Sequence, residues 1–173
     1  MRERTVIAMT LAAFLALSRF APAFSAAENP GGGGPQAKRS ACDLLSLAEI
    51  GKLAGGSAIE IDPSQSGPDD NGGDNCVWKV KGNPNPFIVF QVKRVAADRR
   101  IDAVFSGDRV EAFGGGPAPA SVSGLGEEAL YRDFEKVKGG CLLIRQGRSI
   151  VTFSGSVGKD AYVTLARLVL QRL

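Results

Sequence analysis

Apolar and polar residues alternate along this chain in short runs that change period, and those changes mark the elements. Ser46-Leu47-Ala48-Glu49 has the form of a capping box, flanked by Leu45 and Ile50 where a hydrophobic staple belongs. Leu47, Ile50 and Leu53 then share a stripe, and Gly55-Gly56 ends it, so a helix is expected over 47–54. Ala58 to Ile61 reads as a brief strand before Pro63, and Ser64 to Asn75, rich in Gly, Asp, Asn, Ser and Pro, as a long exposed loop. Cys76 to Lys81 alternates, with Cys76, Trp78 and Val80 facing one side and Val77, Lys79 and Lys81 the other. Asn83-Pro84-Asn85-Pro86 is turn chemistry, and Ile88, Phe90 and Val92 share a face of the strand that follows, which makes a hairpin.

Ala97, Ile101, Val104 and Phe105 recur at helical spacing, predicting a helix over 96–105 that Ser106-Gly107 would end. Gly114 to Pro119 reads as a loop and Glu128 to Phe134 as a strand. Cys141–Arg145 and Ser149–Ser154 flank Gln146-Gly147-Arg148, a hairpin signature. Ala161, Tyr162, Leu165, Leu168, Val169 and Leu173 form one face of a last helix. The two halves each read as a helix followed by a hairpin, without a repeat at residue level. Strands joined mainly by hairpins predict an α+β fold: one antiparallel sheet of about five to seven strands, with two or three helices packed mainly on one face.

The first residues have a different character. Arg2 and Arg4 precede an apolar run of 12 residues, Val6–Leu17, and Ser25-Ala26-Ala27 has the small-x-small form of a signal-peptidase site, so residues 1–27 are expected to be a secretory signal peptide. The run is shorter than the roughly 20 residues that cross a bilayer, and no later segment is a candidate, so no transmembrane segment is expected in the mature chain. A lipoprotein needs a cysteine directly behind its apolar run, whereas the first here is Cys42. Residues 28–40, with four consecutive glycines between Pro30 and Pro35, read as a flexible tether, and residues 41–173 as a single α+β domain. A periplasmic or secreted location follows as an expectation.

The 173 residues hold 21 Lys and Arg and 18 Asp and Glu. Removing Arg2, Arg4, Arg19 and Glu3 with the leader leaves 18 cations against 17 anions, a balance that argues against a nucleic-acid partner. There is no histidine, which excludes Ser-His-Asp triads, Cys-His dyads and imidazole metal ligands. No cofactor is expected.

Three cysteines in an exported chain allow three pairings of one disulfide and one free thiol. Cys42 stands just before the first helix and Cys76 shares the inward face of Trp78, while Cys141 has the parity of Arg145. That favours Cys42 with Cys76 and leaves Cys141 as the free thiol.

Cys42-Asp43-Leu44-Leu45-Ser46 opening a helix, Cys76-Val77-Trp78 on a strand, Ser123-Gly124-Leu125-Gly126-Glu127-Glu128-Ala129-Leu130-Tyr131, and a late hairpin before a terminal helix together resemble a family of small exported domains. Bacterial envelope lipoproteins of unknown function typify that family. The resemblance covers nearly all of residues 42–173 and implies a compact α+β fold with a Cys42–Cys76 bridge. It brings no catalytic residues, and this chain departs from it in lacking a lipidation cysteine and in carrying Cys141.

The remaining motifs have ordinary readings. Gly124-Leu125-Gly126-Glu127-Glu128-Ala129 matches a dinucleotide fingerprint in form, but its two acids would repel a pyrophosphate, and a tight turn is expected. Ser156-Val157-Gly158-Lys159 matches S-x-x-K without its companion motifs, and Ser156 is expected to cap the last helix. The Asp62, Asp69, Asp70, Asn71, Asp74 and Asn75 region does not fit an EF-hand and reads as a solvated loop. Lys93, Arg94, Arg99 and Arg100, interleaved with Asp98 and Asp102, read as a solvated helix face. No catalytic constellation emerges, so the leading expectation is a non-enzymatic domain that binds a protein or envelope component, with enzymatic activity left open. The alternatives are a carboxylate-based hydrolase of envelope glycans using Glu127 and Glu128 with Asp133, and a small-ligand carrier with an apolar concavity near Trp78.

Overall fold

A computed structural model describes residues 39–173 of the chain. The expected leader and the tether up to Lys38 lie outside the described residues.

Ser40 caps a single 3-10 turn, Ala41–Asp43, and Ser46 caps α1, Leu47–Leu53, each through a reciprocal capping box that satisfies backbone amides the short helix cannot. Eight strands follow in one antiparallel sheet: β1 (Ile59–Ile61), β2 (Gly67–Pro68), β3 (Gly73–Val80), β4 (Pro86–Arg94), β5 (Ala120–Ser121), β6 (Glu128–Asp133), β7 (Gly140–Gln146) and β8 (Ser149–Gly155). Their order is β1-β3-β4-β8-β7-β6-β5, with β2 also paired to β3, and β4 and β8 are joined over residues 88–94 and 149–155. Two helices complete the fold, α2 (Ile101–Phe113) between β4 and β5 and α3 (Lys159–Leu170) after β8. The expected α+β fold with a single antiparallel sheet is present. It has one strand more than the upper bound, because the two-residue strands β2 and β5 are too short to leave a period in the sequence.

Strand parity assigns every side chain of the sheet to one of two faces. The first carries Cys76, Trp78, Ile88, Phe90, Val92, Leu142, Ile144, Val151 and Phe153, covered by Ile50 of α1 and by Tyr162, Leu165, Ala166 and Val169 of α3. Trp78, Phe90, Phe153 and Tyr162 form a chain of neighbouring rings through this layer. The second face carries Leu130, Cys141, Leu143 and Ile150 under Phe105 and Phe113 of α2. Two helices therefore cover the first face and one covers part of the second.

The largest departure from expectation is α2, which starts five residues later than predicted and runs through Gly107 to Phe113. The cause is long-range. Arg148 donates from Nε to the Val95 carbonyl and from its guanidinium to the Ala96 and Arg99 carbonyls, and the Val95 amide donates to Arg148 O, so residues 95–99 are held as an irregular turn. Gly107 is tolerated inside the helix, which ends at Gly114 and the left-handed Gly115.

Segment 64–75 is also less open than expected. Asp69 accepts from the amides of Asn71 and Gly73 and from the side chains of Asn75 and Gln91, Asp74 accepts the Ala41 amide, and β3 already begins at Gly73. Val77, expected on an open face, is buried, its amide donating to Ser66 Oγ.

Candidate functional site

Cys42 and Cys76 are disulfide-bonded with their Cα atoms 5.0 Å apart, fastening the first 3-10 turn to β3. Cys141 is free and 5% exposed beneath α2. Burial pushes its thiol up to about 11, so at neutral pH it is a protonated apolar side chain rather than a nucleophile. Trp78 is fully enclosed, and none of the cavities described below borders it.

Of the carboxylates of the hydrolase alternative, Glu127 and Glu128 are tied to one guanidinium and Asp133 stands apart from both. Glu127 and Glu128 both reach Arg145, at 3.7 and 3.8 Å, and Asp102 of α2 reaches the same guanidinium at 2.9 Å. Asp133 sits at the other end of β6, accepting from the Tyr131 hydroxyl, about 17 Å from Glu128 along the strand. Paired glycosidase carboxylates stand roughly 5–10 Å apart. Arg145, 5.8 Å from the Phe105 ring, is a strap holding the start of α2 to the sheet.

Gly124-Leu125-Gly126 is a turn that drives Leu125 into the core at 1% exposure. Gly126 requires glycine: its φ is +57°, and a Cβ there would lie 2.4 Å from Arg145 O. Ser156 does not cap α3. The cap position is Gly158, without a side-chain bond, and Ser156 donates instead to the Phe87 carbonyl because β8 ends beside β4. Lys159 lies over the Tyr131 ring, 5.8 Å from its centroid, so the S-x-x-K pair forms no site. Among the described residues no three His, Cys, Asp or Glu side chains gather as a metal-holding group.

The basic cluster is split. Lys93 and Arg94 belong to β4, Arg99 and Arg100 to the turn before α2, and Lys93 is buried rather than solvated, at 8% exposure. Its Nζ donates to Asp108 Oδ1 of α2 at 2.6 Å. This pair stands where α2 leaves the second face of the sheet uncovered. A cavity of about 610 Å³ flanks it, bordered by Asp70, Arg99, Val104, Gly107 and Glu111. A second cavity of about 340 Å³ continues past Asp108 and Glu111 over Gln91, Thr152, Ser154 and Cys141 to Phe134. The sequence carried a trace of this floor in the polar parity of Gln91 and Lys93 on β4, but placing the helix over 96–105 left Asp108 and Glu111 outside it.

The β6–β7 turn is exposed over residues 134–138, beside Gly115 and Gly116. Phe134 is 37% and Val137 65% exposed, and both border a third hollow of about 290 Å³ with Arg132 and Gly116. Arg132 is fixed by donating to the carbonyls of Phe113 and Pro117. No known protein family matches the chain, and no curated protein sequence is significantly similar to it.

Proposed function

We propose that the chain is an exported, non-enzymatic domain that binds a protein or another envelope component through the β6–β7 turn. The observation that carries this reading is the exposed apolar pair Phe134 and Val137 on a turn whose base is pinned by Arg132. Apolar side chains exposed on one turn favour contact with another molecule over solvent. The Cys42–Cys76 disulfide supports export, since such bonds persist in oxidising compartments. No described helix is long and apolar enough to cross a membrane, which fits an exported domain. The separation of Asp133 from Glu128 gives the hydrolase reading no support, and the enclosure of Trp78 gives none to a carrier built around it.

Co-sedimentation of the mature protein with envelope fractions of the native host tests the reading. Phe134→Ser and Val137→Asp should each lower retention at least fivefold while leaving the urea midpoint within the range of ordinary surface substitutions, about 0.5 kcal/mol. Retention of both variants equal to the unmodified protein's, or no retention of the unmodified protein itself, would overturn it.

A further inference from the structure

A second feature lies along the inner flank of α2 and meets the exposed turn only at Phe134. Its centre is the Lys93–Asp108 pair, an ion pair withdrawn from water whose hydrogen-bonding capacity is only partly used. Asp108 Oδ1 takes one of the three ammonium donors of Lys93, and Asp108 Oδ2 is enclosed without a partner. A buried ion pair is a poor way to gain stability, because desolvating both charges offsets most of their attraction and an unpartnered oxygen adds to the cost.

The helix bears a second mark of the same kind. Gly107 lies inside α2, where glycine is less favourable than alanine, and a Cβ built there meets no atom within 4 Å. No close backbone approach calls for this glycine, and it borders the 610 Å³ cavity beside Lys93.

The two cavities share Asp108 and Glu111, so charge and polarity are ordered along the flank. Arg99 and Lys93 provide cationic donors in the larger cavity, Asp108 and Glu111 provide carboxylates where the cavities meet, and Ala112, Cys141 and Phe134 line the smaller one beside the hydroxyls of Thr152 and Ser154. We infer that this flank of α2 binds a small zwitterion of amino-acid size, with the ligand carboxylate at Lys93 and Arg99, its ammonium at Glu111 beside the Lys93–Asp108 pair, and an apolar side chain toward Phe134. A ligand of one sign would leave half of this arrangement unmatched. A neutral one would not repay displacement of water from five charged groups, Asp70 of the larger cavity included.

Amide shifts of the isotopically labelled mature protein, titrated with L-leucine, L-leucine methyl ester and N-acetyl-L-leucine, test the proposal. L-leucine should give saturable shifts centred on Gln91, Lys93, Asp108 and Thr152. The ester, lacking the carboxylate, and the N-acetyl form, lacking the ammonium, should each bind at least tenfold more weakly. Gly107→Leu should fill the cavity, keep the helix and weaken L-leucine at least tenfold. Lys93→Met with Asp108→Leu, which replaces the pair by apolar groups, should do the same in a folded protein. Should that double variant not fold, Arg99→Gln and Glu111→Gln at the surface carry the test, each weakening binding severalfold. No saturable shift with millimolar L-leucine, equal affinity for the ester or the N-acetyl form, or undiminished binding by Gly107→Leu would overturn it. Val137→Asp should leave L-leucine binding unchanged, so failure at the turn and failure at this site are read separately.

Discussion

Trp78→Ala removes the largest fully buried side chain of the domain, and its consequence can be worked out from its surroundings. The indole is 0% exposed, shares its face of β3 with Cys76, and lies 6.1 Å from the Phe90 ring. Nothing polar is lost with it, because the indole Nε1 has no hydrogen-bond partner. The cost is therefore apolar transfer plus the cavity left between β3, β4 and the disulfide, about 3–5 kcal/mol for an aromatic-to-alanine change. Trp78→Phe separates the two contributions. It keeps most of the ring and deletes the unpartnered N–H, so it should cost only about 1–2 kcal/mol. Urea unfolding gives both values, and because this is the chain's one tryptophan its fluorescence reports the site directly. Emission should be blue-shifted and protected from acrylamide until the transition. Ready quenching in the native state with an unchanged midpoint for Trp78→Ala would refute the core assignment, and a Trp78→Phe cost equal to that of alanine would show that the N–H is bonded after all.

Other expectations are as direct. Glu49 is held well below its usual range, from 4.5 to about 2, by the Arg172 guanidinium at 2.6 Å and by the Ser46 amide. Its contribution is thus complete above about pH 4.5 and is lost as pH falls toward 2; Glu49→Gln should cost about 2 kcal/mol at pH 7, allowing for partial solvent screening, and almost nothing near pH 2 in urea melts. Replacing Cys42 and Cys76 together by serine opens a loop whose ends are 34 residues apart, and should lower stability by about 4 kcal/mol in denaturant titrations. Gly126→Ala should cost at least about 2 kcal/mol because strain at φ +57° adds to the clash with Arg145 O, whereas Gly124→Ala, left-handed but with open space around it, should cost about 1 kcal/mol, both read from denaturant titrations.

What was legible in the residues was local. The Ser46–Glu49 box closes within one turn, and the Gln146-Gly147-Arg148 connection joins neighbouring strands, so nothing distant could alter either. The start of α2 is the opposite case: Ala97 to Phe105 has helical spacing, yet the chain enters the helix late because Arg148, about 50 residues further on, occupies the carbonyls of Val95, Ala96 and Arg99. The expected helix over 96–105 hid the candidate zwitterion site, since a helix ending at Phe105 cannot bring Asp108 to Lys93. Cys141 shows a subtler loss. Alternation assigns it the parity of Arg145 and hence a half-open face, but Gly140 to Ile144 is buried at every residue, as in a strand covered on both sides. The continuous apolar run Cys141-Leu142-Leu143-Ile144 was itself that signal.

The unequal cover of the two faces explains why a domain this small can carry polar hollows. On the first face α1, α3 and the disulfide close an apolar layer in which Leu44, Ile50, Trp78, Phe153 and Tyr162 are all enclosed. Stability is concentrated there, and substitutions in that layer act on folding. On the second face α2 is seated by few large apolar side chains, Phe105 and Phe113 foremost, and held by Arg145 at its start, Lys93 in its middle and Arg132 at its end. Each of those cations reaches from the sheet to the helix, which sets the helix at a distance and leaves space between them along β4 and β8. A wholly apolar second face would close that space and gain burial. Keeping Gln91, Lys93, Thr152 and Ser154 there forgoes that gain, and the side chains that resist closure are the ones that border the cavities.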